Sequence, residues 1–169
     1  MDLGKKKEKT MKIGVISDTH LAEPTSDLVE LLRGPFKDVA MILHAGDITE
    51  LEVLEAFAGK EVLAVCGNMD SAAVRKKLPA RQVWKSGQFK IGLIHGWGQP
   101  RGMEERIARE FEGVDCIVYG HTHTPACNAG REGVFFFNPG TFGGAWASGS
   151  KSVGVLTLGD TISGQIIYL

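Results

Sequence analysis

The chain has 169 residues, of which 43% are hydrophobic and 23% charged, the proportions of an ordinary globular domain. Its formal net charge of −1 excludes an overall positive field that would attract nucleic acid or an anionic membrane, although a local basic patch is compatible with it. The three cysteines form no CxxC pair and are odd in number, which argues against a disulfide framework or a thiolate zinc site. We therefore expect reduced thiols in a cytoplasmic protein.

Residues 1–10 are rich in lysine, and no apolar stretch follows them of the length that a secretory signal needs. We interpret them as a flexible solvated tail ahead of a single domain over residues 11–169. Nowhere does the sequence approach the roughly 20 consecutive apolar residues that cross a bilayer, so no membrane association is expected.

Short apolar runs rich in β-branched residues alternate with helix-like stretches over most of the chain. The runs that predict buried strands cover residues 12–17, 39–44, 61–66, 89–94, 115–119 and 134–137. The spacing of apolar residues predicts helices over residues 25–33, 50–58 and 102–111. Such alternation is typical of an α/β fold.

The last third of the chain is richer in turns. Residues 131–133 predict a hairpin turn before strand 134–137, and a turn at residues 159–160 joins predicted strands 152–158 and 161–168. An earlier turn at residues 86–87 joins strands 82–85 and 89–94 in the same way. Crossovers followed by hairpins predict parallel strands with antiparallel additions, and two packed sheets with helices outside would satisfy this pattern.

Each of the six strands predicted first runs directly into a small polar cluster. The clusters are Asp18-Thr19-His20, Gly46-Asp47, Gly67-Asn68-Met69-Asp70, His95-Gly96, Gly120-His121-Thr122-His123 and Asn138-Pro139-Gly140-Thr141. Because ligands gather at the carboxyl ends of strands in α/β sheets, these clusters predict one shared site.

The residue types in the clusters predict a metal site, since imidazole and carboxylate together suit Mn, Fe, Zn, Ni or Co. The spacing of two in Asp18/His20 and His121/His123 would point both members of each pair to one side of an extended backbone. The chain offers seven candidate ligands, namely Asp18, His20, Asp47, Asn68, His95, His121 and His123. One ion needs about four protein ligands at most. We therefore expect two divalent ions joined by a bridging carboxylate, an arrangement that clamps a phosphoryl group and provides a hydroxide nucleophile.

The ordered motifs Asp-x-His, Gly-Asp, Gly-Asn-x-Asp, His-Gly and Gly-His-Thr-His resemble those of the calcineurin-like metallophosphoesterases. Their compact spacing is similar to the short prokaryotic branch of that family, and the resemblance runs from about Met11 to the C-terminus. It implies two mixed β-sheets packed as a sandwich with flanking helices. It also implies hydrolysis of small phosphate esters, phosphodiesters and nucleotide-like esters above all, with manganese favoured.

The resemblance divides the seven candidates between two ions. Asp18, His20 and His123 would hold the first ion, Asn68, His95 and His121 the second, and Asp47 would bridge both. Asn138 lies in a segment similar to one that lines the site in the family.

Two positions depart from the family pattern. Many members carry histidine after the Gly-Asn pair, where it can protonate the leaving group, but this chain has Met69. Several members carry a second histidine where this chain has Trp97, which offers a flat face instead. Met69, Trp97, Arg101 and Asn138 are therefore predicted to face the substrate, with Arg101 contacting phosphate. A solvated loop is the alternative for Trp97 and Arg101, and plain packing is the alternative for Met69.

Several other interpretations stay open from the sequence. Asp18 and Asp47 could cap following helices, and Asn68 could be a turn residue. Asp70 is predicted to orient other groups or to cap a helix, whereas His44, which lies in an apolar run, is predicted to be structural.

A non-catalytic scaffold or binding module on the same fold is the main functional alternative. A scaffold subunit of the eukaryotic retromer resembles the family but has degraded ligand positions, whereas the seven positions of this chain are intact. An amidase or lactonase with two metals is disfavoured, because the sequence contains no HxHxDH run.

Overall fold

Two five-stranded β-sheets form the centre of the computed structural model, which describes residues 10–143 and 150–169 and only the backbone of Arg131. The strands are β1 (Met11–Ile16), β2 (Met41–His44), β3 (Glu61–Ala64), β4 (Arg81–Ser86), β5 (Phe89–Ile94), β6 (Cys116–Val118), β7 (Ala126–Ala129), β8 (Phe135–Asn138), β9 (Ser152–Leu158) and β10 (Ile162–Tyr168). The first sheet has the order β10-β9-β1-β2-β3 and the second has the order β4-β5-β6-β8-β7.

Each sheet is mixed, with three neighbouring parallel strands. β1, β2 and β3 run parallel in the first sheet, with Ile13 opposite Met41 and Met41 opposite Glu61. β5, β6 and β8 run parallel in the second sheet, with Ile91 opposite Cys116 and Cys116 opposite Phe135. Strands β9, β10, β4 and β7 pair antiparallel with their neighbours. The parallel strands of each sheet therefore end at a common edge.

Short helices cover the outer faces of both sheets. Helix α1 (Ser26–Leu31) and a 3₁₀ helix (Leu51–Phe57) contribute buried side chains to an apolar cluster that includes Ile16 and Ile42 of the first sheet. Helix α3 (Met103–Ala108) buries Met103 and Ile107 in a cluster that contains side chains of the second sheet. Helix α2 (Ala72–Lys77) follows β3. Apolar spacing on one face of each covering helix explains its packing.

The main core lies between the two sheets. Its buried members include Ile13, Val15, Leu43 and Leu156 from the first sheet and Ile91, Leu93, Val118 and Phe137 from the second. The alternation of buried side chains between the inner and outer faces of the strands produces these separate clusters. The layers are therefore helix, sheet, sheet and helix, which confirms the predicted sandwich of two mixed sheets with flanking helices.

Two elements were not predicted from the sequence. Strand β7 has mostly exposed side chains, so it carries no apolar alternation, and it pairs with β8 through the predicted turn at Arg131–Gly133. Helix α2 buries only Val74 and is otherwise small or basic. The helix predicted over residues 50–58 is a 3₁₀ helix rather than an α-helix. Within residues 10–143 and 150–169, no helix is both long and apolar enough to span a bilayer.

Candidate metal centre

The seven candidate ligands follow five parallel strands drawn from both sheets. Asp18, His20, Asp47 and Asn68 come after strands of the first sheet, and His95, His121 and His123 come after strands of the second. The structure brings their polar atoms together at the common edge of the sandwich, as the positions of the clusters in the sequence predicted.

Five of these seven residues have left-handed backbone conformations. The φ angles are 53° at Asp18, 49° at His20, 53° at Asp47, 66° at His121 and 57° at His123. The prediction that the paired ligands share an extended backbone is therefore wrong, although their side chains do meet. Aspartate and histidine tolerate this region better than most residues, but each such position still costs about 1–3 kcal/mol. Clustering of this strain is typical of functional sites.

One group of side chains surrounds a carboxylate oxygen of Asp18. The Oδ1 atom of Asp18 lies 3.8 Å from His20 Nε2 and 3.1 Å from His123 Nε2. The two imidazole nitrogens are themselves 3.3 Å apart. The other oxygen of Asp18 accepts hydrogen bonds from Ser17 Oγ at 2.6 Å and from the backbone N–H of His121 at 3.1 Å. These bonds leave Oδ1 facing the imidazoles.

A second group lies beside the first. The Oδ2 atom of Asp47 is 3.3 Å from His95 Nε2 and 3.9 Å from His20 Nε2, so it faces both groups. Asn68 Oδ1 lies 3.2 Å from His95 Nε2 and 2.9 Å from His121 Nδ1. These distances place Asp47 between an imidazole of the first group and the imidazole and carboxamide of the second.

The Oδ1 atom of Asp18 provides a direct test of whether a cation fits here. Within the part of the chain that the structure describes, this oxygen is buried and has no hydrogen-bond partner. Asp18 belongs to two sets of residues whose ligand atoms lie within 4.8 Å of one another, one with His20 and His123 and the other with Asp47 and His95. A buried carboxylate oxygen without a donor is costly, and a divalent cation would satisfy it. The donor set therefore fits metal ions.

Charge interactions inside the site favour cations. Burial disfavours ionisation of the Asp47 carboxyl. The pKa of Asp47 nevertheless lies below its ordinary value, because contacts with His95 and with the Met69 N–H stabilise the carboxylate more than burial destabilises it. Burial opposes protonation of His95, yet the Asp47 and Asp18 carboxylates raise the pKa of His95. Close approach of the Asp18 carboxylate raises the pKa of His123. The site is thus electrostatically negative and attracts positive charge.

Asp70 joins the two loops that carry Asp47 and Asn68. Its buried carboxylate accepts the backbone N–H groups of Thr49 and Gly67, both at 2.6 Å. In the opposite direction, Asp47 Oδ1 accepts the N–H of Met69 at 2.7 Å. The loops therefore exchange side-chain to backbone hydrogen bonds, which fixes their spacing.

Helix capping does not explain the carboxylates of the motifs. Thr25 caps α1, since its side chain accepts the N–H of Leu28 at 3.4 Å. Ser71 caps α2 through the N–H of Val74, so the capping role predicted as an alternative for Asp70 is wrong. The 3₁₀ helix begins after Glu50, without a side-chain cap. Capping roles for Asp18 and Asp47 are wrong for the same reason.

Further polar residues form hydrogen bonds with the segments that carry the candidate ligands. His44 is fully buried, with Nε2 3.2 Å from Thr19 Oγ1, and Nδ1 accepts the N–H of Gly46 at 3.3 Å. Ser17, whose role sequence reasoning missed, donates to the Asp18 carboxylate. Thr141, which belongs to one of the predicted polar clusters, donates to the Asp18 carbonyl. The position of Ser17 between β1 and Asp18 was a usable signal for this role.

The four residues predicted to face substrate occupy different environments. Met69 is 61% exposed and Trp97 is 43% exposed. Arg101 is also exposed, in the turn before α3. Asn138 is buried, and its amide donates to the Gly120 carbonyl and Thr122 Oγ1 while accepting the N–H of Gly140. Contact with substrate stays a prediction for all four.

Comparison with known proteins identifies the family. Residues 11–161 match the calcineurin-like phosphoesterase superfamily domain. The chain is 39% identical over 136 residues to a probable metallophosphoesterase of Methanocaldococcus jannaschii, a match covering 78% of this chain and 68% of that protein. A phosphodiesterase of the same organism is 26% identical over 160 residues, covering 86% of this chain and 92% of that protein.

A solved structure has a similar fold over nearly the whole chain. The structure of vacuolar protein sorting 29 from Cryptosporidium parvum superposes with a TM-score of 0.71 and 25% identity, covering 95% of this chain and 99% of that chain. The chain therefore belongs to the calcineurin-like phosphoesterase superfamily, a metal-dependent family of phosphoesterases.

Proposed function

We propose that this protein hydrolyses phosphodiesters with two divalent metal ions held by the seven candidate ligands. The observation that carries the proposal is the buried Asp18 oxygen, which lacks a hydrogen-bond donor and lies within 3.9 Å of the Nε2 atoms of His20, His95 and His123. The phosphodiesterase of Methanocaldococcus jannaschii supports the choice of ester.

Each ion would be bound by one of the two groups of side chains described above. The first ion is assigned to Asp18, His20 and His123, the second to Asn68, His95 and His121, and Asp47 to both. The position of Asp47 Oδ2 between His20 and His95 supports its bridging role. Manganese is the favoured ion, with iron, nickel, zinc or cobalt as alternatives, since imidazole and carboxylate accept all of them.

When bound, the ions supply a hydroxide nucleophile near neutral pH and offset the charge that develops on the phosphoryl oxygens. The residues of the chain fix the geometry and balance the charge. Ser17 and the His121 N–H hold the Asp18 carboxylate, and Asp70 fixes the loops of Asp47 and Asn68. Met69 cannot donate a proton to the leaving group. The proposal therefore assigns no side chain as the leaving-group acid, which favours esters of acidic alcohols or phenols or protonation of the leaving group by water.

Arg101 is proposed to contact the phosphate of the substrate from the exposed turn before α3. Its guanidinium would bind anionic oxygens of the ester in two-point fashion. We assign Met69 to the substrate-facing wall as well, through its exposed side chain. The buried Asn138 would support that wall from behind by fixing the backbone beside His121.

Substitution of the bridging residue tests the proposal. Asp47→Asn removes one negative charge between the ions, so bound manganese measured by mass spectrometry should fall below two per chain. Hydrolysis of bis(4-nitrophenyl) phosphate should drop by roughly 100-fold or more, because several kcal/mol of charge stabilisation is lost. Asp27→Asn, at a carboxylate whose side chain is 67% exposed on α1, is the matched control. Full metal content with unchanged turnover in Asp47→Asn would refute the bridge.

The likeness to vacuolar protein sorting 29 favours a second candidate, a binding module without catalysis. Intact ligand positions oppose it, since a module that does not react would not need the strained backbone at five of them. Protein loaded with manganese that cleaves no activated phosphodiester or monoester would decide for the binding module.

A further inference from the structure

A cavity of about 420 Å³ opens beside the second group of ligands. Asn68 and His95 form part of its wall, so it is continuous with the proposed metal centre. The remaining wall includes Ile94, Trp97 and the pair Arg81 and Glu110. Its volume falls within the roughly 300–1,000 Å³ of pockets that bind small molecules.

Hydrogen bonds to backbone carbonyls hold the loop that carries Trp97, whereas the Trp97 side chain is exposed. Arg106 Nε donates to the Trp97 carbonyl at 3.0 Å, and an Nη2 of Arg106 donates to the Gln99 carbonyl at 2.5 Å. His121 Nε2 lies 3.0 Å from the Gly98 carbonyl, which ties this loop to the metal centre. A 43% exposed tryptophan on a fixed loop is unusual, because large aromatic side chains are normally well buried. The loop therefore presents an aromatic face at the cavity without having to reorganise.

Arg81 and Glu110 form an ion pair across another part of the cavity wall. The pair connects the start of β4 to the segment after α3 at the cavity. The Arg81 side chain is 53% exposed and has further guanidinium N–H groups beyond the one that contacts Glu110. An apolar face and a polar margin in one cavity suit a flat ring better than a flexible alkyl chain.

We propose that this cavity binds a flat aromatic group of the substrate, with the ring stacked on Trp97 while the phosphate lies at the metal centre. This inference rests on the proposed function and specifies the class of ester, namely aryl or nucleoside phosphodiesters rather than alkyl ones. Stacking of a base on an aromatic side chain contributes enough that its removal weakens binding between about 5-fold and about 150-fold.

Calorimetry with two phosphonates tests the proposal without any turnover. Phenylphosphonate and methylphosphonate share the anionic group but differ in the ring, and neither can be hydrolysed at its C–P bond. With the manganese-loaded protein we expect phenylphosphonate to bind at least about fivefold more tightly. Trp97→Ala should abolish this difference and leave methylphosphonate affinity unchanged, whereas Trp97→Phe should preserve it. Equal affinities for the two ligands in the unchanged protein, or an unchanged ratio in Trp97→Ala, would overturn the proposal.

Nuclear magnetic resonance gives a second measurement of ring binding. It also works if Trp97→Ala fails to fold, because it uses the unchanged protein and the milder Trp97→Phe variant. The chain has three tryptophans, and their indole N–H signals report on each ring separately. Phenylphosphonate should shift the indole N–H signal of one tryptophan. That signal should be missing from the spectrum of Trp97→Phe and should still be present, and still shift, in the control Trp84→Phe. A shift that persists in Trp97→Phe would place the ligand elsewhere. Selective phenylphosphonate binding without hydrolysis of any ester would refute the proposed function but not the ring-binding cavity. Hydrolysis without selectivity for the ring would refute the ring-binding role of the cavity but not the proposed function.

Discussion

Replacement of Asp70 by asparagine tests how the two ligand loops are held together. The carboxylate is 3% exposed and accepts the N–H groups of Thr49 and Gly67, both at 2.6 Å. Asparagine has nearly the same shape but keeps one acceptor oxygen. Its NH₂ group would face one of the two backbone N–H donors, so one hydrogen bond is lost and a buried donor is left without a partner.

The size of the effect follows from these contacts. A hydrogen bond to a charged group contributes about 1.5–3 kcal/mol, and a buried unsatisfied donor adds a cost of about 1–3 kcal/mol. We therefore expect Asp70→Asn to lower the free energy of unfolding by about 2–4 kcal/mol, allowing for partial relaxation. The loops of Asp47 and Asn68 would also lose their fixed spacing. Metal affinity should then fall by about 10-fold to 100-fold, as is usual when groups that orient ligands are changed.

Urea unfolding of the metal-free protein measures the first effect, and titration with manganese measures the second. Asp38→Asn, at an exposed aspartate in the turn before β2, is the matched control and should change neither quantity. If Asp70→Asn lost less than about 0.5 kcal/mol and bound manganese normally, the loops would be held by other contacts and the reasoning would be refuted.

Three further outcomes are expected. Burial lowers the pKa of His44 to about 3, so His44 stays neutral in the folded protein. The contribution of neutral His44 to the free energy of unfolding is complete above about pH 6.5 and falls by up to about 1.4 kcal/mol per pH unit as the pH drops toward 3. An NMR titration midpoint of His44 near 6.5 would contradict this. Gly67→Ala would place a methyl group against Asp47 Oδ1 and 2.6 Å from Asp47 N, so manganese affinity should drop while Gly34→Ala leaves it unchanged. Manganese at 100 times its dissociation constant should raise the unfolding free energy by about 2.7 kcal/mol, and calorimetry showing no shift in melting temperature would contradict a metal centre.

Much of the architecture could be predicted because its signals are local. The strands over residues 89–94 and 152–158 lie where their apolar runs placed them, since a buried strand needs little besides a short β-branched segment between turns. Strand β7 was missed because pairing with β8, rather than its own residues, makes it extended. The 3₁₀ helix in place of an α-helix reflects hydrogen bonding that apolar spacing does not encode.

The convergence of the candidate ligands could be predicted from the sequence, but their backbone conformations could not. Asp18 and His20 stand at the end of a strand, and that position alone indicates where their side chains gather. Their left-handed conformations depend on bonds from partners distant in sequence, such as Asp18 N–H to the Gly46 carbonyl and His20 N–H to the Asp47 carbonyl. The roles of Asp70 and Ser17 likewise depend on which backbone groups the fold brings near them.

The division of the candidate ligands between the two sheets has a mechanical consequence. The ions proposed here would tie one layer of the sandwich to the other at a single edge, and sliding of the layers would have to break coordination. At the opposite edge, where β1 begins near the turn from β4 to β5 at Gly87, side-chain packing and a hydrogen bond from Ser86 Oγ to Met11 Sδ join the layers. Slow opening of the protein would then start at that far edge. After chelation, direct hydrogen bonds such as those from His95 to the Ala45 carbonyl and from Gln82 to the Ala64 carbonyl would still join the layers.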